Sequence, residues 1–151
     1  MPAHALPNTS DTSSAARDDS NSLPAHLVHW AQHTPGRPAF TFAEYSVPGL
    51  RARQRTLTWH RADVRTRAVA ARLTQTVAPG ERVALLCGQG LEYIVGFLAA
   101  LTSGAVAVPL FTPELPGHAD RLAGILADSR PTAVLTTSAD ADTVSAFLAA
   151  R

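Results

Sequence analysis

The sequence predicts an α/β fold: a partial three-layer sandwich of three parallel strands with flanking helices, preceded by a helix and a small β-hairpin. Three observations carry this expectation. Short apolar runs at Val83–Cys87, Ala105–Val108 and Thr132–Thr136 have the length and composition of strands covered on both faces. Helical periodicity fills the stretches between them, which makes βαβ units with right-handed crossovers. Upstream, Ala39–Tyr45 and Arg55–Trp59 are separated by a segment containing Pro48 and Gly49, the pattern of a hairpin.

The elements follow in chain order. Residues 1–22 are rich in Ser, Asp, Ala, Asn and Pro and nearly free of large apolar side chains, so they are expected to form a disordered tail. Leu23–Thr34 reads as a helix with Leu23, Leu27, Trp30 and Ala31 facing inward; Pro24 suits its first turn and Pro35–Gly36 ends it. Val47–Gln54 is the hairpin loop. His60–Thr76 reads as an amphipathic helix with Ala62, Thr66, Val69, Ala70 and Leu73 inward, closed by a turn at Pro79–Gly80.

Leu91–Ser103 is apolar nearly all round (Leu91, Ile94, Val95, Phe97, Leu98, Leu101), which requires deep packing, and Gly104 ends it. Pro109 is expected to stop the second parallel strand, and Phe111–Gly117, with Pro113 and Pro116, to be a loop. His118–Ser129 is a helix with Leu122, Ile125 and Leu126 inward. Ser138–Ala150 is the last, with Thr137 as its cap and Asp140 in the capping-box position. A parallel sheet of three strands has two open edges, an arrangement expected of part of a larger domain.

Composition bounds the function. A length of 151 residues fits one domain. A net charge of +1 gives no global field toward nucleic acid or membrane. No apolar run reaches the roughly 18 residues of a membrane span. The N-terminus lacks the basic and apolar regions of a secretory signal. Cys87 is the one cysteine, so no internal disulfide forms, and a reducing cytoplasm is the expected compartment. All 13 basic residues are Arg, which excludes lysine chemistry within this sequence.

Each candidate site has a plainer alternative. Gly88-Gln89-Gly90 lies between a strand and a helix, where a dinucleotide-binding turn belongs. Tyr93 stands where the fingerprint needs a third Gly, and no acid ends the next strand. A tight turn that brings the helix close to the sheet is the alternative. His26, His29 and His33 lie on neighbouring faces of one helix, but no carboxylate or Cys completes a metal site; a solvated polar edge beside Trp30 is the alternative.

Arg51, Arg53, Arg55, Arg61, Arg65, Arg67 and Arg72 fit either a docking patch for an acidic partner or a solvated face whose stems cover apolar surface. Thr136-Thr137-Ser138 sits at a strand end, where α/β proteins bind ligands, but helix capping accounts for it. His118 and Asp120 stand alone at a helix start, where Asp120 complements the helix dipole.

Taken as an ordered set, these segments resemble a known family. LTWHRADVRTRAVAARL is similar to the opening region of adenylate-forming enzymes, and VAPGERVALLCGQGLEYIVGFLAALTSGAVAVPL to their next two elements. Gln89-Gly90-Leu91-Glu92-Tyr93, the Val108-Pro109-Leu110-Phe111 exit and PELPGHADRLAGILADSRPTAVLTTSAD resemble fatty-acyl-AMP ligases, in particular the long-chain actinobacterial type that feeds polyketide synthases. The resemblance covers residues 23–151.

It implies the N-terminal part of the large domain, incomplete, of an enzyme that uses ATP and Mg²⁺ to form an acyl-adenylate and passes the acyl group to an acyl carrier protein or polyketide synthase. The family's working parts are a Ser/Thr/Gly-rich phosphate loop, an aromatic-Gly-x-Thr-Glu motif, a ribose-binding Asp and a C-terminal Lys. None matches a position in this sequence. No catalytic, cofactor-binding or metal residue is therefore carried over, and no cofactor is expected in this chain. The expected function is that of a truncated ligase portion, inactive alone, whose partner is the remainder of the ligase or a carrier protein, with no nucleic acid and no membrane. The competing expectations are a stand-alone, non-catalytic α/β module docking an acidic carrier protein, and a small nucleotide binder using the Gly88–Gly90 turn.

Overall fold

The structure is a computed structural model and describes residues 19–45, 52–113 and 117–150. The expected disordered tail up to residue 18, most of the hairpin loop with Pro48, Gly49 and Arg51, and Pro116 of the later loop lie outside the described residues.

Helix α1 (Leu23–His33) follows a short 3₁₀ turn at Asp19–Asn21, so residues 19–22, expected as the end of the disordered tail, instead form a turn and the helix cap. The Ser22 hydroxyl caps it by accepting from the Ala25 N–H, and Pro24 occupies its first turn, where a missing N–H costs nothing. Its inward stripe is narrower than the periodicity predicts. Leu27 is buried, whereas Leu23 and Trp30 are exposed. Trp30 instead lies along the rim, stacked 6.2 Å from Trp59, which meets Phe40 edge-on at 5.8 Å.

Strands β1 (Pro38–Glu44) and β2 (Arg53–Thr58) form the expected antiparallel hairpin, with Phe42 opposite Arg55 and Thr41 opposite Thr56. The two threonine hydroxyls bond across the strands at 2.9 Å. Trp59 is not the end of the strand but the first residue of α2 (Trp59–Leu73). The Thr58 hydroxyl accepts from the Arg61 N–H and so fixes the helix start one residue earlier than expected. Ala62, Thr66, Ala70 and Leu73 are buried as the stripe requires, and Asp63 is buried beside them.

The parallel sheet has the order β4-β3-β5, built from β3 (Arg82–Leu86), β4 (Val106–Leu110) and β5 (Ala133–Leu135). Among the described residues, β4 and β5 have no strand on their outer sides. Pro109 does not stop β4. It pairs with Leu85 inside the strand. The Val106 N–H donates to the Glu81 carbonyl on the β3 side. Alternation by two then turns the Pro109 nitrogen to the unpaired side, where the ladder needs no donor.

β3 is the centre of the molecule. Val83 and Leu85 pack with Ala70, Leu73, Ala99 and Ala100 of α2 and α3 (Leu91–Thr102). Ala84 and Leu86 face the other way, onto Leu122 of α4 (Ala119–Ser129) and Val144 of α5 (Ala141–Ala149). This is the three-layer arrangement the continuous apolar runs predict. A third cluster joins Leu27, Leu57 and Ala62 to Leu91, Val95 and Leu98, and seats the hairpin on α3.

The start of the last helix differs from the expectation. The Thr137 hydroxyl accepts from the Asp140 N–H, one arm of the expected capping box, and donates to the Asp140 carboxylate. These bonds close a turn at 138–140, however, and α5 begins only at Ala141. Helix α4 ends at Ser129 as expected, with Arg130 as its cap in a left-handed φ of 42° just before Pro131.

Candidate functional site

The carboxyl ends of β3 and β4 open into a cleft of about 900 Å³, walled on its far side by β1 of the hairpin. Open α/β sheets bind ligands at such strand ends. Phe40, Phe42, Tyr93 and Phe111 supply aromatic lining, Gln89 a polar group, and Cys87 sits where β3 runs out; among the described residues no lining side chain is charged. The cleft therefore fits an apolar or aromatic surface better than a phosphate.

The Gly88–Gly90 turn explains why. The Gly88 N–H, two residues past the end of β3, is taken by the Asp140 carboxylate at 3.3 Å. Gly90 caps α3 in extended backbone, and its neighbour Glu92 lies in the first turn of that helix. Two carboxylates thus flank the position a phosphate would need. The residues present do not fit an ATP phosphate chain. Nor do three or more His, Cys, Asp or Glu converge on a point that could hold a metal ion, among the described residues. Neither glycine lets the helix approach the sheet; that close approach is at Gly96, where a Cβ would meet Leu85 and Leu135 at 3.6 Å.

Cys87 is poorly suited to nucleophilic work. Burial pushes its thiol up to about 11, and the carboxylates of Asp140 and Glu92 add to the effect. Its Sγ donates to the Leu135 carbonyl at 3.4 Å. At pH 8 a shift from 9.0 to about 11 leaves roughly one hundredth of the ordinary thiolate. Iodoacetamide should accordingly alkylate the folded protein at least ~10-fold more slowly than the urea-unfolded chain at that pH. Equal rates would show that the thiol is neither buried nor shifted.

Glu92 is the charged hub beside the cleft. Desolvation opposes its ionisation. Its own backbone N–H and the guanidinium groups of Arg55 and Arg65 outweigh that, and its carboxyl is held below the ordinary value. Arg55 reaches both carboxylate oxygens, at 3.1 and 3.5 Å, and Arg65 reaches one at 3.5 Å. The Arg67 guanidinium pairs with Asp63 at 2.7 Å, and Arg72 donates to Gln75 at 2.8 Å. The Arg cluster is thus largely engaged within the chain: of its described members, Arg55, Arg65, Arg67 and Arg72 have partners. A sequence reading finds these charges but not their distribution, because Glu92 lies about 30 residues away and only the α2–α3 packing brings it close.

Of the remaining candidates, the three histidines of α1 stay apart from the cleft, while Thr137 and His118 touch it only through Asp140 and Phe111. The His33 ring N–H donates to the His29 carbonyl at 2.7 Å and the two rings stack at 4.1 Å, while the His26 ring bonds Asn21 at 3.1 Å. Thr137 serves its turn, and the His118 ring meets Phe111 edge-on at 5.3 Å.

Comparison with known proteins decides the family. The profile described as AMP-binding enzyme matches residues 27–151. The chain belongs to the AMP-binding enzyme family. Among curated members of this family, it is 44% identical over 135 residues to the long-chain-fatty-acid–AMP ligase FadD32 of Mycolicibacterium smegmatis, covering 88% of this chain and 21% of that protein. It is 46% identical over 118 residues to the long-chain-fatty-acid–AMP ligase FadD26 of Mycobacterium marinum, covering 78% and 20%. The fold superimposes on a fatty acyl-adenylate ligase from L. pneumophila, solved in complex with acyl adenylate and pyrophosphate, with a TM-score of 0.70 at 29% identity over 80% of this chain and 20% of that one. The chain thus spans about one fifth of the length of the curated relatives it matches. The sandwich seen here is the family's own architecture, and no helix among the described residues is long and apolar enough to cross a membrane.

Proposed function

We propose that residues 23–151 are the N-terminal part of the large domain of a long-chain fatty-acid–AMP ligase, and that they act there as scaffold. The observation that carries this reading is the 44% identity to FadD32 across 88% of the chain. The parent reaction is ATP-dependent: a fatty-acid carboxylate attacks the α-phosphate, pyrophosphate leaves, and the acyl-adenylate then gives its acyl group to an acyl carrier protein or polyketide synthase, with Mg²⁺ as the counter-ion. The compartment is the cytoplasm.

Adenylyl transfer needs cations and backbone donors gathered around phosphate. Here Arg55 and Arg65 are turned to Glu92 and Arg67 to Asp63, and the donor at Gly88 serves Asp140. No catalytic, nucleotide or metal role is assigned to a residue of this chain. Its contribution is the β3-centred sheet and the cleft wall.

A chimera tests this. Residues 23–151 replace the matching segment of M. smegmatis FadD32, and hydroxamate is measured from a long-chain fatty acid, ATP and hydroxylamine. The chimera should form hydroxamate and the 151-residue chain should form none. Turnover by the chain alone would sink the scaffold assignment; a folded but inert chimera would sink the ligase reading.

A further inference from the structure

The cleft wall is not held by the hairpin's own pairing alone. Arg55 on β2 lies with its guanidinium carbon 6.0 Å from the centre of the Phe42 ring, a cleft-lining side chain, and the same guanidinium grips both oxygens of Glu92 at the first turn of α3. Arg65 on α2 holds that carboxylate from the other side. Gly90 leaves room for the pair: a Cβ there would stand 3.4 Å from Glu92 and 3.9 Å from Arg55.

We propose that Arg55 is a positioning residue of the cleft: the apolar cluster around Leu57 and Leu91 seats the hairpin on α3, and Arg55, through Glu92, ties the β1–β2 wall over the mouth, so that access to the floor rises when this contact is lost. The wall spans Ala39–Phe42 and the floor includes Cys87, so both ends of the proposal lie in a single cavity. Arg65 reaches Glu92 from α2 rather than from the hairpin, and its loss leaves the Arg55–Glu92 tie in place.

Cys87 is a built-in reporter, being the one thiol of the sequence and buried in the cleft. The experiment measures iodoacetamide labelling of Cys87 in the full chain under native conditions, for the parent, Arg55→Gln and Arg65→Gln. Iodoacetamide is neutral, so a lost charge does not change its approach. Removing a positive charge works against the thiolate, and electrostatics alone therefore makes Arg55→Gln label more slowly. Opening of the wall does the reverse. Labelling of Arg55→Gln should rise about twofold to fivefold, within what loss of an exposed ion pair supports. Arg65→Gln should stay within about 1.5-fold of the parent.

Amide hydrogen exchange separates local opening from general loosening. Residues 38–44 and 53–58 should exchange faster in Arg55→Gln while residues 83–86 keep the parent's rates. Unchanged or slower labelling of Arg55→Gln, an equal rise in Arg65→Gln, or acceleration that extends to 83–86 would each overturn the assignment.

Discussion

Leu85→Ala should cost about 3–4 kcal/mol of stability, and Leu86→Ala about as much, although the two side chains share no neighbours. The expectation follows from their place on β3. Both are fully buried, at 0% exposure, in the strand with a partner on each side. Leu85 fills the layer beneath α2 and α3, among Ala70, Leu73, Ala99 and Ala100. Leu86 fills the opposite layer, against Leu122 and Val144.

Truncation removes the transfer free energy of the lost methyl groups and leaves a cavity that the small neighbours on the Leu85 side cannot close. A domain of this size is stable by only about 5–15 kcal/mol, so either change removes a large share of the total. The melting temperature should fall by roughly 6–16 °C. Leu148→Ala serves as the reference, since Leu148 is 40% exposed and its loss should stay under ~1 kcal/mol. Urea titrations of the three variants check the order. A Leu86→Ala midpoint close to that of Leu148→Ala would show that α4 and α5 do not form a true second layer on the sheet.

Those two faces of β3 were legible in the sequence because physics leaves little choice there. A run such as Val83–Cys87, apolar at every position, cannot expose either side, so helices must cover both. The alternation of period two then assigns Leu85 and Leu86 to different layers without further information. The helices were legible for the same reason, through stripes at helical spacing in α2 and α4. Errors gathered where a local rule met a tertiary one. Pro109 is a strand-breaker by rule, but its nitrogen falls on the unpaired side of β4, a fact of sheet order that no local pattern contains. Leu23 and Trp30 keep helical spacing with Leu27, yet α1 meets its neighbours along a narrower strip than its own pattern offers.

The cleft was half legible. The sequence marks Gly88–Gly90 as a turn at a strand end, and even its poor fit to a nucleotide fingerprint. It does not show that Asp140, 52 residues on, reaches back to occupy the Gly88 N–H. Nor does it show that Arg55 and Arg65 spend their charge on Glu92. Long side chains joining separate elements follow from packing angles, which short-range spacing does not encode.

Gly104→Val should destabilise the protein by about 2–3 kcal/mol, whereas Gly96→Ala, also in this helical unit, should be neutral or stabilise by up to ~1 kcal/mol. Gly104 ends α3 in a Schellman arrangement. Its N–H donates to the Leu101 carbonyl at 3.0 Å, and the Ala105 N–H donates to the Ala100 carbonyl at 3.0 Å. That geometry needs the left-handed φ of 77° found there, which a β-branched residue adopts only with strain. The carbonyl of Gly104 also accepts from the Gly80 N–H at 2.8 Å, and a Cβ would press on Pro79 at 3.4 Å. The side chain thus strains the cap and pushes apart two turns that hold each other.

At Gly96 the helix backbone is ordinary, and an added Cβ would meet Leu85 and Leu135 at 3.6 Å, a normal contact distance. Alanine there removes the entropic cost of glycine in a helix and adds apolar contact. Circular dichroism melts of the two variants decide the matter. If Gly96→Ala melts several degrees below the parent, α3 must sit closer to β3 and β5 than 3.6 Å allows; if Gly104→Val melts with the parent, the end of α3 does not need its left-handed residue.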